Sequence, residues 1–512
     1  MKMVVSIIWG LVLSASICEA GILVPVGLQK QLLVDDYVIA EKHNVTRELG
    51  RPRKLGVVME PSTPTDFDPV KTFPDGLPKT GGYFEFGRRL SVLWNDKTER
   101  FQMLYRASAE NLTGYAESKD GIRWTKPLVS HDGKSNLISY RGRDRGTFYE
   151  ASFMIDPTVP WGHPEKYKAA FNPGNTRCAI AHSADGIHWK SYNDGESVTG
   201  RAADTFNQIL WDPIAERYML LTRTDLGAEG GLEESRATRI MVHDKGNDLM
   251  AHPAAWKTLV NVNVDDPEKK KTKAGVPVLQ MESMNIWVYE NVYFGLMHVL
   301  TAGELTGAEG EVPVADPDKR PEADVIDFYL GTSRDGKDFD KSWVYAGKPF
   351  IARGPDGSFD KGMLQPSSQI ITRGDQHFIY YTGQYCQHHS PASARKEPGK
   401  IGLAKLPLDR FICQKAGDKV GTITTKPFKL AGDKLHVNVD ASDGWVQVEL
   451  LDETGREIPG FSGKAAERHI AKDELRLVPQ WKSRGDLSPL KGKTVRLKFT
   501  FQNAKLYAFD FN

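Results

Sequence analysis

One phrase recurs three times in this chain and limits its fold more than any other feature. It reads Ser118-Lys-Asp120-Gly121-Ile-Arg-Trp124, then Ser183-Ala-Asp185-Gly186-Ile-His-Trp189, then Ser333-Arg-Asp335-Gly336-Lys-Asp-Phe339. Each copy follows a short strand-like run: Thr113-Gly-Tyr-Ala-Glu, Arg177-Cys-Ala-Ile-Ala-His and Phe328-Tyr-Leu-Gly-Thr. An Asp-Gly pair between alternating residues is a hairpin turn, because glycine reaches the positive φ angles the turn needs. The aromatic residue three places on can then pack back on its neighbour. A recurring hairpin implies a repeated sheet unit.

A second pattern lies upstream of these turns, an apolar strand, a turn residue and a second apolar strand. It occurs at Leu90–Asp96 with Arg100–Tyr105, Ala151–Asp156 with Tyr167–Phe171, and Asn207–Asp212 with Arg217–Thr222. It recurs at Asn285–Glu290 with Val292–His298, and at Ser368–Gly374 with His377–Thr382. Five copies, each with room for one or two more strands, predict an all-β fold with a five-bladed β-propeller over 21–418. A β-sandwich of hairpins is the alternative. From 421 to 512 the rhythm changes to alternating strands at Leu435–Val439, Val446–Leu450, Val495–Phe499 and Lys505–Phe509, with turns at Asp443-Gly444, Glu453-Thr-Gly455 and Lys491-Gly492. This pattern predicts a C-terminal β-sandwich domain that braces the propeller or binds sugar.

With 67 basic against 66 acidic residues, net charge +1, nothing favours nucleic acid or an anionic membrane surface. The run Lys269-Lys270-Lys271-Thr272-Lys273 follows Asp265, Asp266 and Glu268 and reads as a solvated loop. Residues 1–20 read as a signal peptide: Lys2, an apolar stretch from Val4 to Ala15, and Ala20 before Gly21. Cys18 is a poor lipidation site because Ile17 is bulky. Cys178, Cys386 and Cys413 form no disulfide framework, and no Cys/His spacing suggests zinc. The expected product is a secreted or periplasmic protein without a membrane span; its oligomeric state is left open.

The layout of propeller followed by sandwich resembles glycoside hydrolase families 32 and 43. The segments Leu32-Leu-Val-Asp35-Asp36-Tyr37, Tyr115–Trp124, Gly354-Pro-Asp-Gly-Ser-Phe-Asp360-Lys-Gly362, Ile401-Gly-Leu-Ala-Lys-Leu and Lys505-Leu-Tyr507-Ala-Phe509 resemble a group of exported bacterial propeller proteins related to family 32. The resemblance implies cleavage of glycosidic bonds in a poly- or oligosaccharide by carboxylate acid/base chemistry. Family 32's Trp-Met-Asn-Asp-Pro, Arg-Asp-Pro and Glu-Cys motifs are not intact here, and the repeated turn is one residue shorter than the sialidase Ser-x-Asp-x-Gly-x-x-Trp turn. Shared fold therefore does not certify shared chemistry. A non-catalytic carbohydrate-binding propeller, its carboxylates paired to arginine, and a scaffold with a plugged channel are the competing readings.

Aligning the five inner strands puts Asp204 and Glu282 at one level, with Arg88, Phe148 and Gln365 at that level in the other units. Glu150 lies near the same end. Paired carboxylates are what glycoside hydrolysis needs. By resemblance to family 43, Glu282 would be the general acid, Asp204 its orienting and pKa-raising partner, and Glu150 the base or nucleophile. Asp36 and Asp360 are the alternatives. For substrate binding, Arg223 and Arg239 suit a carboxylate or sulfate, Tyr149 and Trp287 a sugar face, and His298 and Gln365 the channel wall. Tyr381 is a further stacking candidate. Asp120, Asp185 and Asp335 are turn residues. His388-His389 lacks the ligands for a metal site. No cofactor is assigned, and a structural calcium ion is left open.

Overall fold

The apolar runs of this chain become strands; among the described residues helix is limited to Ser342–Tyr345 and short 3-10 segments. The structure, a computed structural model, describes residues 23–66, 85–107, 112–141, 148–174, 176–200, 206–226, 235–264, 270–271, 277–303, 319–388, 390–391, 394–395, 397–482 and 484–512. The fold is all-β.

Five antiparallel meanders follow one another along the described chain. Sheet I holds Ser91–Asn95, Arg100–Arg106 and Thr113–Ser118. Sheet II holds Tyr149–Ile155, Tyr167–Asn172, Ala179–Ser183 and His188–Ser191, with Ser139–Arg141 parallel to its last strand. Sheet III holds Gln208–Asp212, Arg217–Leu226, Ser235–His243 and Trp256–Asn263. Sheet IV holds Leu279–Tyr289, Val292–Thr301 and Val325–Ser333. Sheet V holds Met363–Pro366, Gln376–Gln384 and Lys400–Pro407, with Ile371–Arg373 also on the middle strand. Its outer edge is taken by Arg53–Met59 from the N-terminal side of the chain. One parallel bridge, Ile326 to Met363, joins sheets IV and V.

The first strands of the five sheets are laced together. Ser368 N donates to Leu90 O at 2.8 Å, linking V to I. Phe153 N donates to Ser91 Oγ at 3.1 Å, linking II to I. Asn207 N donates to Glu150 O at 3.0 Å, linking III to II. Ile286 N donates to Gln208 Oε1 at 2.7 Å, linking IV to III. The Gln208 amide spans the middle: its Nε2 donates to Ile286 O at 2.9 Å and Ser368 O at 2.8 Å. Apolar clusters fill the spaces between neighbouring sheets, such as Phe148, Phe153, Phe171 and Trp189 with Leu93 and Leu104 between I and II.

The recurring phrase closes the third strand of sheets I, II and IV. Ser183 Oγ accepts from Gly186 N at 2.9 Å, and Asp185 Oδ1 accepts from Ile187 N and His188 N, both at 2.9 Å. The same bonds recur at Ser118 and Asp120, and at Ser333 and Asp335. The turn is wider than a two-residue hairpin, since Ser183 pairs with Trp189. Gly186 takes φ +81°, and a Cβ there would stand 3.0 Å from the Tyr167 ring. Trp189 packs back as expected and donates Nε1–H to Gly186 O at 3.0 Å.

The C-terminal region is a ten-stranded curled sheet around one core that includes Val437, Val448, Leu497, Phe499 and Phe509. Segments from outside 421–512 join it. Gln31–Leu32, Ile39–His43, Thr46–Leu49 and Ile412–Ala416 belong to it, so the unit starts well before 421. The physical reason is pairing: Ile39–His43 satisfies Gly421–Thr425, Gln31–Leu32 and Ile412–Ala416 satisfy Ala504–Phe511, and Thr46–Leu49 covers Ile412–Ala416. Asp443-Gly444 is no turn either. Leu435–Asp452 runs through it as one strand, pairing with Ala504–Phe511 by its first half and with Thr494–Gln502 by its second. A register shift between Ala441 and Trp445 absorbs the bend against Arg468–Leu477.

The expected signal segment, Cys18, Asp204, Lys269, Thr272, Lys273 and His389 lie outside the described residues. Cys178, Cys386 and Cys413 are buried free thiols. No described helix is long and apolar enough to cross a membrane.

Candidate functional site

Two β-bulges aim the central carboxylates. In sheet II the register slips by one residue opposite Glu150, between Ala170 and Asn172. In sheet IV it slips between Met281 and Ser283, at Glu282. A bulge turns one side chain out of the strand's ordinary alternation. Glu150 also takes φ +52° and Arg89 φ +55°, a conformation costly for residues with a Cβ. Both glutamates are only 3% exposed.

Guanidinium groups surround them. Arg88 pairs with Glu85 at 2.5 Å, and Arg106 reaches Glu85 at 3.3 Å and Glu150 at 3.4 Å. Arg89 completes the row by donating Nε–H to Glu150. Cations and anions thus alternate as Arg88, Glu85, Arg106, Glu150, Arg89. Across the site, Glu282 accepts from Arg236 and from Arg223 Nη1, the latter at 3.5 Å. Arg223 and Arg236 sit on one face of sheet III, because Arg223 pairs with Thr238 and Asp225 with Arg236. Gln365 of sheet V accepts from Arg88 Nε at 3.3 Å. Side chains from all five sheets therefore meet at one end of their first strands.

The pairing shifts the titration of three of these groups. Burial works against the charge of Glu282, but Arg236 and Arg223, helped by His388 and Arg89, outweigh it and hold the carboxyl well below its usual range. Burial likewise opposes the Glu85 charge, and Arg88 and Arg106 bring it down to about 2. His298 is fully buried; burial, with Arg89 nearby, pushes its imidazole down to about 3, so it is neutral. A general acid must carry a proton near neutral pH. The arginines favour the ionised form of Glu282, whereas the expected role of general acid needs the protonated one.

The other expected residues divide. Glu150, Glu282, Arg223, His298 and Gln365 belong to the cluster, and half-buried Tyr149 borders it with its ring under Arg106 at 5.3 Å. Arg239 does not join them. Strand alternation turns it to the opposite face from Arg236, where Nε donates to Thr222 Oγ1 at 3.3 Å. Trp287 stacks on Tyr289 at 4.9 Å and packs near Phe411 at 5.5 Å, inside an apolar cluster. Asp36 is exposed and held by Lys42 at 2.6 Å beside the C-terminal sheet. Asp360 is buried against Lys54 at 2.6 Å, tying the N-terminal strand to sheet V. Tyr381 packs inside sheet V beside Phe359. Phe148 is core.

Sequence reasoning does not single out Glu85, Arg89, Arg106 or Arg236, and it gives Arg88 a level but no role. The run Glu85-Phe-Gly-Arg88-Arg89, charged residues just ahead of an apolar inner strand, is the signal that was present. Among the described residues no group of three or more His, Cys, Asp or Glu could hold a metal ion.

No family model matches the sequence. No curated protein matches it either. Among solved structures, a thermostable family-43 glycoside hydrolase is 13% identical, over 64% of this chain and 89% of that one, with a TM-score of 0.39. An exo-inulinase from Aspergillus awamori is 11% identical, over 85% of this chain and 98% of that one, with a TM-score of 0.36. A putative glycosidase from Bacteroides thetaiotaomicron is 16% identical, over 70% and 96%, with a TM-score of 0.37.

Proposed function

We propose that this chain is an exported, glycoside hydrolase-like protein: a five-bladed propeller with a C-terminal sandwich whose central site acts on a poly- or oligosaccharide. The observation that carries the reading is the convergence of Glu150, Glu282 and Glu85 with their arginines from separate sheets. Isolated structural ion pairs would not need two bulges and two residues at positive φ to bring them together.

The chemistry assigned to each residue follows its charge. Glu282, ionised, serves as base or nucleophile. Glu150, between Arg89 and Arg106, orients substrate. The proton donor is then Asp204, the carboxyl read at the level of Glu282. Sugar hydroxyls entering the site would exchange hydrogen bonds with the arginines and leave the carboxylates free to act. The arginine pairing of every described central glutamate favours a second reading, in which the same site binds a glycan without cutting it.

Purified protein assayed on a glycan panel separates the two. Hydrolysis that falls at least a hundredfold in both Glu282→Gln and Asp204→Asn supports the enzyme. Binding without turnover supports the second reading. Neither binding nor turnover overturns both.

A further inference from the structure

Once the ion pairs are made, three side chains around the central carboxylates keep hydrogen-bond donors to spare. Among the described residues Arg89 Nη1 and Gln365 Nε2 are buried without a partner, and so are both ring nitrogens of His298. They come from sheets I, V and IV and form one neighbourhood. The Arg89 guanidinium lies 5.9 Å from the centre of the Phe206 ring, and Phe206 lies 6.2 Å from the His298 ring. Gln365 is held in place because its Oε1 is already occupied by Arg88. That bond leaves its amide N–H₂ as the free end.

Buried polar groups in native proteins nearly always have partners, so an orphaned set on one site marks what a ligand must supply. Here the ligand must offer acceptors. A neutral imidazole gives one N–H and the guanidinium one more, with the amide as the third. Glu150 and Glu282 are turned to Arg89, Arg106, Arg223 and Arg236, and among the described residues they accept nothing from these three donors. A charge-assisted bond to a guanidinium is about twice as strong as a neutral one, and a flat or tetrahedral oxyanion suits several neighbouring donors.

We infer that the central site takes an anionic sugar, whose carboxylate or sulfate oxygens are bound by Arg89 Nη1, Gln365 Nε2 and the His298 ring N–H. The inference rests on the proposed carbohydrate site and names its substrate class. The free ring nitrogen of His298 accepts a hydroxyl of the same sugar.

The test is an array of matched oligosaccharides in four forms: neutral, uronate, uronate methyl ester and sulfate ester. It is probed with the wild-type chain and with Arg89→Lys and Gln365→Glu. Binding confined to uronate or sulfate forms, at least tenfold weaker for the methyl ester, is the expected result, and the two anionic arms identify which oxyanion is used. Arg89→Lys keeps the charge beside Glu150 but loses the second N–H, and should remove most of the preference. Gln365→Glu is nearly isosteric, faces Arg88, and should abolish anion binding by repulsion while keeping the wild-type melting transition. Equal or better binding of neutral and esterified forms overturns the anionic class and leaves the carbohydrate site standing. No binding in any arm overturns the carbohydrate site itself.

Discussion

Glu150 and Glu282 occupy matching positions in two different sheets: each sits in a β-bulge of a first strand, and each faces two arginines. The match is one of geometry rather than of partners. The arginines of Glu150 come from sheet I and those of Glu282 from sheet III. Each glutamate therefore ties its own sheet to the preceding one.

Removing either member of such a buried pair should be costly. Glu282→Gln leaves Arg236 and Arg223 facing each other in a buried site, and should lower the unfolding free energy by about 3–5 kcal/mol. The double change Glu282→Gln with Arg236→Met should recover part of that loss, since it removes a stranded charge. Urea denaturation of the four members of the cycle measures the coupling.

Acid should unpick the site in a defined window. Glu85 is brought from an ordinary value of 4.5 to about 2 in the folded protein. A depressed carboxyl stabilises the fold above its unfolded value, and that contribution is lost as pH falls through the folded value. Wild type should therefore exceed Glu85→Gln in melting temperature at pH 6, and the gap should narrow between about pH 4.5 and 2. A gap that does not change with pH would show that Glu85 acts through shape alone.

Sheets II and III share a second buried pair. Lys168 Nζ and Tyr218 Oη both donate to Asp156 Oδ2, with the lysine and aspartate side chains 1% and 0% exposed. Burial opposes the Asp156 charge, but Lys168 outweighs it and holds the carboxyl below its usual range. Lys168→Met should destabilise by about 3–5 kcal/mol, and the added change Asp156→Asn should be milder than the sum of the two. Chemical denaturation reads both.

The recurring turn can be tested at its glycine. Gly186→Ala places a Cβ at φ +81° and against the Tyr167 ring, so both backbone and packing suffer. A loss of about 1–2 kcal/mol is expected from the backbone alone. Asp185→Ala, which strips two N–H groups of their acceptor, should cost about 1 kcal/mol. Thermal unfolding of the two variants ranks the effects.

Much of the fold was legible because hairpins are local. Strands such as Arg217–Leu226 and Val292–Thr301 pair with their immediate neighbours in the chain, so alternation and turn residues locate them. The site was legible only in part. Glu282 stood out by its level on an inner strand, but its partner Arg236 lies on another sheet and was indistinguishable in sequence from Arg239. Trp287 looked equally fit to face a sugar or a core. Phe411, more than a hundred residues later, packs beside it and makes it core. Likewise nothing near Thr46–Leu49 announces that it will pair with Ile412–Ala416.

The sequence by itself determined the all-β class, the repeated strand pairs and the turns between them, because each depends on residues a few positions apart. The phrase Ser-x-Asp-Gly carries its own hydrogen bonds and needs no distant partner. Tertiary structure alone decided the boundary of the C-terminal sheet, the bulges that aim Glu150 and Glu282, and the cations that lower the Glu282 carboxyl. Register between strands is set by packing across the whole chain, and a carboxyl's protonation is set by whichever cations that packing brings beside it.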